Sequence, residues 1–242
     1  MVDGEEHAHG GRFIAGHPGV GRGGLRGHDP GRLPPSAVVS HQDGSMRVST
    51  HFALWMAGLA QAETQTTAGE RACLARHAAG RQRLVEIGVW HGVTTRVLRA
   101  VMDPTATLWA VDPYPVGRLR VSFQQLIAHR EVNSVRNGRV DWVRDTGVGA
   151  AKRHRERGLP PVDFVFIDGD HTYEGLQGDW TGWSPLVAPG AIIALHDTHA
   201  SPSRPMNTTG SARYTREVIL HDPAFERVDT HDSLTVMRRN DR

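Results

Sequence analysis

The stretch Val162-Asp-Phe-Val-Phe-Ile-Asp168-Gly-Asp170-His171 constrains this chain most, because an apolar run ends there without transition in acids and a histidine. Val162 to Ile167 is short and rich in bulky apolar residues. That is how a strand reads when a parallel sheet buries both its faces. In open α/β sheets ligands bind just beyond the carboxyl ends of strands, and Asp168, Asp170 and His171 emerge there. The segment predicts a parallel sheet with a binding site at its rim.

The same grammar repeats. Arg83 to Gly92 (Arg-Leu-Val-Glu86-Ile-Gly88-Val-Trp-His91-Gly92) reads as a strand breaking into a glycine turn, and Val93 to Met102 follows with helical spacing. Thr107 to Asp112 is a second strand ending in a carboxylate, stopped by Pro113 and Pro115. Arg139 to Asp145 is a third, with a helix beginning near Gly147. Ala191 to Asp197 follows the pivotal strand and is announced by Pro189-Gly190. Alternating strands and helices imply right-handed crossovers. Ala224–Thr230 and Ser233–Arg238 lie too close for a crossover, so they are expected to pair antiparallel as a terminal hairpin.

From about Leu84 to Met237 the pattern resembles the class I S-adenosylmethionine-dependent methyltransferases. The resemblance rests on Glu86-Ile-Gly88-Val-Trp-His-Gly92, Asp112, Asp163 to Tyr173, and Pro189-Gly190 to Asp197. Within that family it is most similar to small O-methyltransferases, the group that includes macrolide-sugar and catechol enzymes. It implies an α/β, Rossmann-like, doubly wound and mostly parallel seven-stranded sheet with an antiparallel C-terminal strand. It also implies S-adenosylmethionine as cofactor and a small-molecule hydroxyl as acceptor.

The chemistry of the residues agrees. Gly88 and Gly92 let backbone approach a ligand where a Cβ would intrude. Glu86 precedes the first glycine, and a carboxylate repels a pyrophosphate, so the turn is not a dinucleotide fingerprint. S-adenosylmethionine carries an α-ammonium, a sulfonium and two ribose hydroxyls, which suit acids at strand ends. Glu86 is assigned to the methionine end, Asp112 to the ribose hydroxyls, and Asp145 with Thr146 to the neighbourhood of the adenine. Asp112 before Pro113 also suits ordinary turn chemistry. Trp90 and His91 read as packing or solvent-facing residues. An NAD-type oxidoreductase lacks its fingerprint here; a noncatalytic cofactor-binding module would share the fold without turnover.

Methyl transfer to a hydroxyl needs alignment and removal of the acceptor proton. An imidazole can take that proton near neutral pH. His171 falls where the catechol enzymes carry a lysine base, so His171 and Asp168 are the catalytic candidates. Asp168 and Asp197 end neighbouring strands, and paired carboxylates repel unless a proton or cation lies between them. One reading places a magnesium ion on Asp168, Asp197 and Thr198, with Thr198 standing where metal-dependent relatives carry Asn or Asp, and with Asp170, His196 or His199 able to compensate. The other is metal-free, with Asp168 supporting the cofactor. Zinc is disfavoured, since no compact ligand motif appears.

Residues 1 to about 45 are dense in Gly, His, Pro and Arg and offer little to bury, so disorder is expected there. The methyltransferase-like region is expected over 46–242, with a helical segment at 46–80 and the Rossmann-like core at 81–242. Met46 opens Met-Arg-Val-Ser-Thr-His-Phe-Ala-Leu-Trp-Met, which looks like an ordinary helix-leading amino terminus. No apolar run is long enough to span a membrane, and no stretch resembles a secretion signal. The single cysteine, Cys73, excludes an intramolecular disulfide and fits a reducing, cytoplasmic setting. The basic pI derives partly from arginines in the tail and from Lys152 to Arg157, a run that reads as a solvated helix end without aromatic interleaving, which argues against nucleic acid as a partner. A homo-oligomer is compatible with the sequence. The loops expected over the site, Tyr114–Phe123 and Thr198–Tyr214, carry Arg118, Arg120, Arg204, Arg213 and Tyr214, which suit a polar acceptor such as a sugar or equally a solvated surface.

Overall fold

The computed structural model describes residues 41–116, 120–200 and 209–241. The expected disordered tail through residue 40, together with Arg118 and Arg204, lies outside them. The described part holds seven helices and seven strands: α1 (His41–Met56), α2 (Ala68–Ala78), β1 (Arg83–Ile87), α3 (Val93–Val101), β2 (Thr107–Val111), α4 (Phe123–Asn133), β3 (Arg139–Val143), α5 (Gly147–Glu156), β4 (Val162–Ile167), α6 (Tyr173–Trp183), β5 (Val187–Leu195), α7 (Gly210–Glu217), β6 (Phe225–His231) and β7 (Leu234–Arg239). Helix α1 takes in residues 41–45, which the sequence reading placed in the tail.

One sheet runs β3-β2-β1-β4-β5-β7-β6. β1 to β5 pair in parallel, while β7 runs antiparallel to both β5 and β6. The doubly wound mixed sheet is therefore as expected, and the terminal hairpin inserts its second strand beside β5. In β4 only Asp163 escapes full burial. Its carboxylate accepts from the backbone N–H groups of Gln82 and Arg83 at the start of β1. Alternation along β1 and β4 splits the core. Val85, Ile87, Val165 and Ile167 pack with α5 and α6 residues such as Ala150, Leu176 and Trp180; Leu84, Phe164 and Phe166 pack with Leu74 of α2 and Leu98 of α3 on the other face. Strand order reverses between β1 and β4, which opens a crevice at their carboxyl ends. Threonines cap the helices that start at this rim: the hydroxyls of Thr146 and Thr172 accept from the N–H groups of Gly149 and Gly175. Among the described residues no helix is long and apolar enough to cross a membrane.

Candidate active site

A cavity of about 710 Å³ lies in that crevice, within the size range of small-molecule sites. Its walls are the turn after β1 (Gly88–Trp90), Asp112 and Pro113 after β2, Asp145–Val148 after β3, and Asp168–His171 after β4. Glu63, Thr64 and Gln65 of the α1–α2 link close it, and Glu174 and Asp179 reach in from α6. Of the residues the sequence nominates, Gly88, Asp112, Asp145, Thr146, Asp168 and His171 meet here. Glu86, Gly92, Asp197 and Thr198 do not line it.

Glu86 departs from its expected role. Its side chain is completely buried beneath the turn, and neither carboxyl oxygen has a hydrogen-bond partner among the described residues. Burial, with Asp168 and Asp112 adding repulsion, holds its pKa well above the usual carboxylate range. The acids that reach the cavity near the glycine turn are Asp168 and Glu63 instead. The glycines are required, for a reason other than the expected ligand approach. Both have left-handed φ, +87° and +77°. A Cβ on Gly88 would stand 2.0 Å from the Asp168 carbonyl oxygen, and one on Gly92 2.9 Å from Val132 and 3.0 Å from the Ala128 Cα on α4. The missing side chains make room for protein, and the turn can then wrap the cavity.

Asp112 does the turn chemistry that its place before Pro113 suggests. One oxygen accepts from the N–H groups of Val89 and Trp90, at 3.1 and 3.0 Å, and the other from Tyr114 N–H at 2.8 Å. It therefore pins the turn while facing the cavity, and the oxygen that accepts from Tyr114 keeps a lone pair for a further donor. Asp145 is more committed: it accepts from Thr146 N–H and pairs with Arg153 at 2.7 Å. His91 is a packing residue, 3% exposed and stacked on His51 and Trp90. Burial, then the charge of His51, lowers its pKa to about 4. Tyr214, expected over the site, is a core residue packed edge-on against Tyr173. Arg213 covers the Tyr173 ring.

The acids beyond β4 and β5 are organised by a histidine. His196 Nδ1 lies 2.7 Å from Asp168 Oδ1 and 3.7 Å from Asp197 Oδ1, and its Nε2 lies 3.4 Å from Glu70 Oε2. Burial alone would lower the pKa of this imidazole, but Asp168 and Glu70 as partners, with the charge of Asp197, push it up to about 10. His196 therefore lies where, protonated, it offsets the charge of both neighbouring carboxylates. His171 Nε2 stands 3.7 Å from Asp168 and 3.8 Å from Asp197, with its side chain about one-third exposed to the cavity. The Asp197 backbone is held at φ +53° by the hydroxyls of Ser211 and Thr209, which donate to its carbonyl. The Thr198 hydroxyl donates to the Leu195 carbonyl and is buried. Asp168, His171 and His196 offer ligand atoms within 4.8 Å of one another. That donor set does not fit magnesium, which favours oxygen ligands: it holds two imidazoles, and the nearer carboxylate already faces His196.

Glu70 escaped the sequence reading although its signal was present. Thr67-x-x-Glu70 is a capping box: Glu70 accepts from Thr67 N–H and also from the N–H and hydroxyl of Ser233. Asp179 also went unnoticed, an acid among the buried residues Leu176, Trp180 and Trp183 of α6.

Comparison with known proteins agrees with this geometry. An O-methyltransferase from Streptomyces achromogenes involved in tomaymycin synthesis, solved with S-adenosylmethionine, matches at a TM-score of 0.57 and 16% identity, covering 80% of this chain and 89% of that one. An O-methyltransferase from Bacillus cereus, solved with S-adenosylhomocysteine, matches at 0.51 and 16% identity, over 84% and 93%. A candidate rRNA methylase from Clostridium thermocellum matches at 0.50 and 13% identity, over 70% and 94%. These likenesses establish the fold. Residues 85–198 match a family model described as a methyltransferase domain, the span that runs from the turn strand to the acids after β5. The chain thus carries a methyltransferase domain on the class I fold.

Proposed function

We propose that this chain transfers the methyl group of S-adenosylmethionine to a hydroxyl of a small molecule, a sugar or glycosylated natural product being the class that suits its polar rim. The observation that carries this reading is His171, which lines the cavity with Asp168 and Asp197 both within 4 Å of its Nε2. S-adenosylmethionine supplies an electrophilic methyl on a sulfonium, so the acceptor oxygen forms the new C–O bond as the C–S bond breaks and a neutral thioether leaves. The chain aligns the acceptor and takes its proton. His171 accepts that proton, and the two carboxylates beside its Nε2 stabilise the imidazolium that forms. Asp112 accepts from the ribose hydroxyls, and Asp168 faces the ammonium end. His196, between Asp168 and Asp197, offsets their charge, and no step passes through a metal.

The test is transfer from radiolabelled S-adenosylmethionine to pools of hydroxylated acceptors, with and without chelator. His171→Ala lowers the turnover rate by about a hundredfold and leaves cofactor affinity within about threefold, the range for a lost general base. Chelator leaves the wild-type rate unchanged. A fully active His171→Ala variant refutes the base, and activity abolished by chelator and restored by magnesium refutes the metal-free site.

A further inference from the structure

Helix α6 carries an acid where its packing calls for an apolar side chain. Leu176, Trp180 and Trp183 form its buried face, and Asp179 lies among them at 5% exposure. A buried carboxyl is costly unless donors meet it. Among the described residues Asp179 makes no hydrogen bond or ion pair. It meets bare backbone instead: a Cβ on Gly147 would stand 2.1 Å from Asp179 Oδ1, and one on Gly169 3.5 Å from Oδ2. The carboxyl therefore sits between the start of α5 and the turn after β4. The small part of it that remains exposed faces the cavity, which it lines. Burial, with Asp170 adding repulsion, pushes its pKa up to about 7, as for an acid whose charge nothing relieves.

Its surroundings indicate what the missing donor is. Beside it the cavity is lined by Val148, an apolar side chain left 50% exposed, and by the side-chain-free Gly147 and Gly169. An apolar platform and a slot without side chains suit a flat ring. Of the other acids on this wall, Asp145 is held by Thr146 N–H and Arg153, and Asp170 accepts from Thr172 N–H. The ammonium and the ribose hydroxyls have Asp168, Glu63 and Asp112 elsewhere along the wall.

We propose that Asp179 reads the nucleobase of S-adenosylmethionine, its carboxylate accepting a hydrogen bond from the exocyclic amino group of adenine at the cavity floor. This rests on the cofactor reading given above. It makes Asp179 the residue that selects adenine over bases with an oxygen at that position, because a carboxylate attracts an amino group and repels a carbonyl.

Calorimetry on the full chain, with S-adenosylhomocysteine and its deaminated analogue S-inosylhomocysteine, tests it. Wild type binds the adenosyl compound about tenfold or more tightly than the inosyl one, the scale of one hydrogen bond to a charged group. Asp179→Asn weakens adenosyl binding and narrows the preference to about threefold or less, since its amide can donate to the carbonyl. The melting temperature of the variant stays at or above that of wild type, because an unpartnered buried acid contributes nothing to the fold. Equal binding of both compounds by wild type overturns the assignment, as does an Asn variant that keeps the wild-type preference. An Asn variant that fails to fold overturns it too, by showing that the carboxyl is structural. Wild type that binds neither compound overturns the cofactor reading beneath it.

Discussion

Glu70→Gln replaces a buried carboxylate by an amide of the same shape. Glu70 is fully buried, accepts from Thr67 N–H at 2.7 Å and from Ser233 N–H and Oγ at 2.9 and 2.6 Å, and faces His196 at 3.4 Å. Burial would raise its pKa, but the bonds to His196, Ser233 and Thr67 outweigh it and hold the carboxyl at about 2 against an ordinary 4.5. A gap of that size corresponds to roughly 3 kcal/mol of native-state stability at neutral pH. The raised pKa of His196 describes the same contacts from the other side and is not added. The amide presents its NH₂ to groups that are themselves donors, so that stabilisation is lost. Urea unfolding at pH 7 is the assay, with a midpoint expected to fall by about 1 M or more at an unchanged slope. The sign with pH follows from a depressed carboxyl. The wild-type advantage is fully present above about pH 4.5 and disappears as pH falls toward 2, where Glu70 is protonated in both states. A loss below about 1 kcal/mol at pH 7, or a gap between the two proteins that stays constant from pH 5 to 2, refutes the charged Glu70–His196 pair.

Gly92→Ala drives a Cβ against α4 at a residue with φ +77°. It lowers stability by about 2 to 4 kcal/mol, read by thermal or denaturant unfolding. Unchanged stability refutes the close packing of the turn on α4. Asp112→Ala weakens S-adenosylhomocysteine binding by about 1 to 2 kcal/mol in calorimetry on the folded variant. Unchanged affinity removes Asp112 from the cofactor site.

What could be seen in the sequence was whatever depends on neighbours along the chain. β4 announced itself because nearly every residue in it is buried, and Thr146 could be placed at the rim because the helix it caps begins beside a strand end. That Asp112, Asp168 and His171 line the cavity followed from the same logic, since a strand end fixes where its next residues point. Residues whose meaning depends on a partner far along the chain were misread or missed. Glu86 looks like a ligand-facing acid until its register puts it on the buried face of β1. Gly92 looks like a cofactor glycine until α4 is packed on it. Glu70 and His196 are unremarkable apart, and only the sheet order brings them together. Helix α4 spreads its apolar residues around its circumference, with Leu126 exposed while Ile127, Ala128 and Val132 are buried, so periodicity did not mark it.

The turn at Ser233 has a consequence for how this protein is made. Its carbonyl accepts from the N–H groups of Thr198 and His199, directly after Asp197, while its own N–H and hydroxyl go to Glu70. One residue in the final hairpin thus fastens the segment bearing one of the acids beside His171 to a helix near the start of the described chain. A ribosome delivers that residue after all five parallel strands. Until it arrives, Glu70 lacks two donors and the backbone after Asp197 lacks its acceptor. The tie between Glu70 and the backbone after Asp197 is therefore among the last contacts that synthesis makes available, and it arrives together with the core residues Leu234 and Val236 of β7.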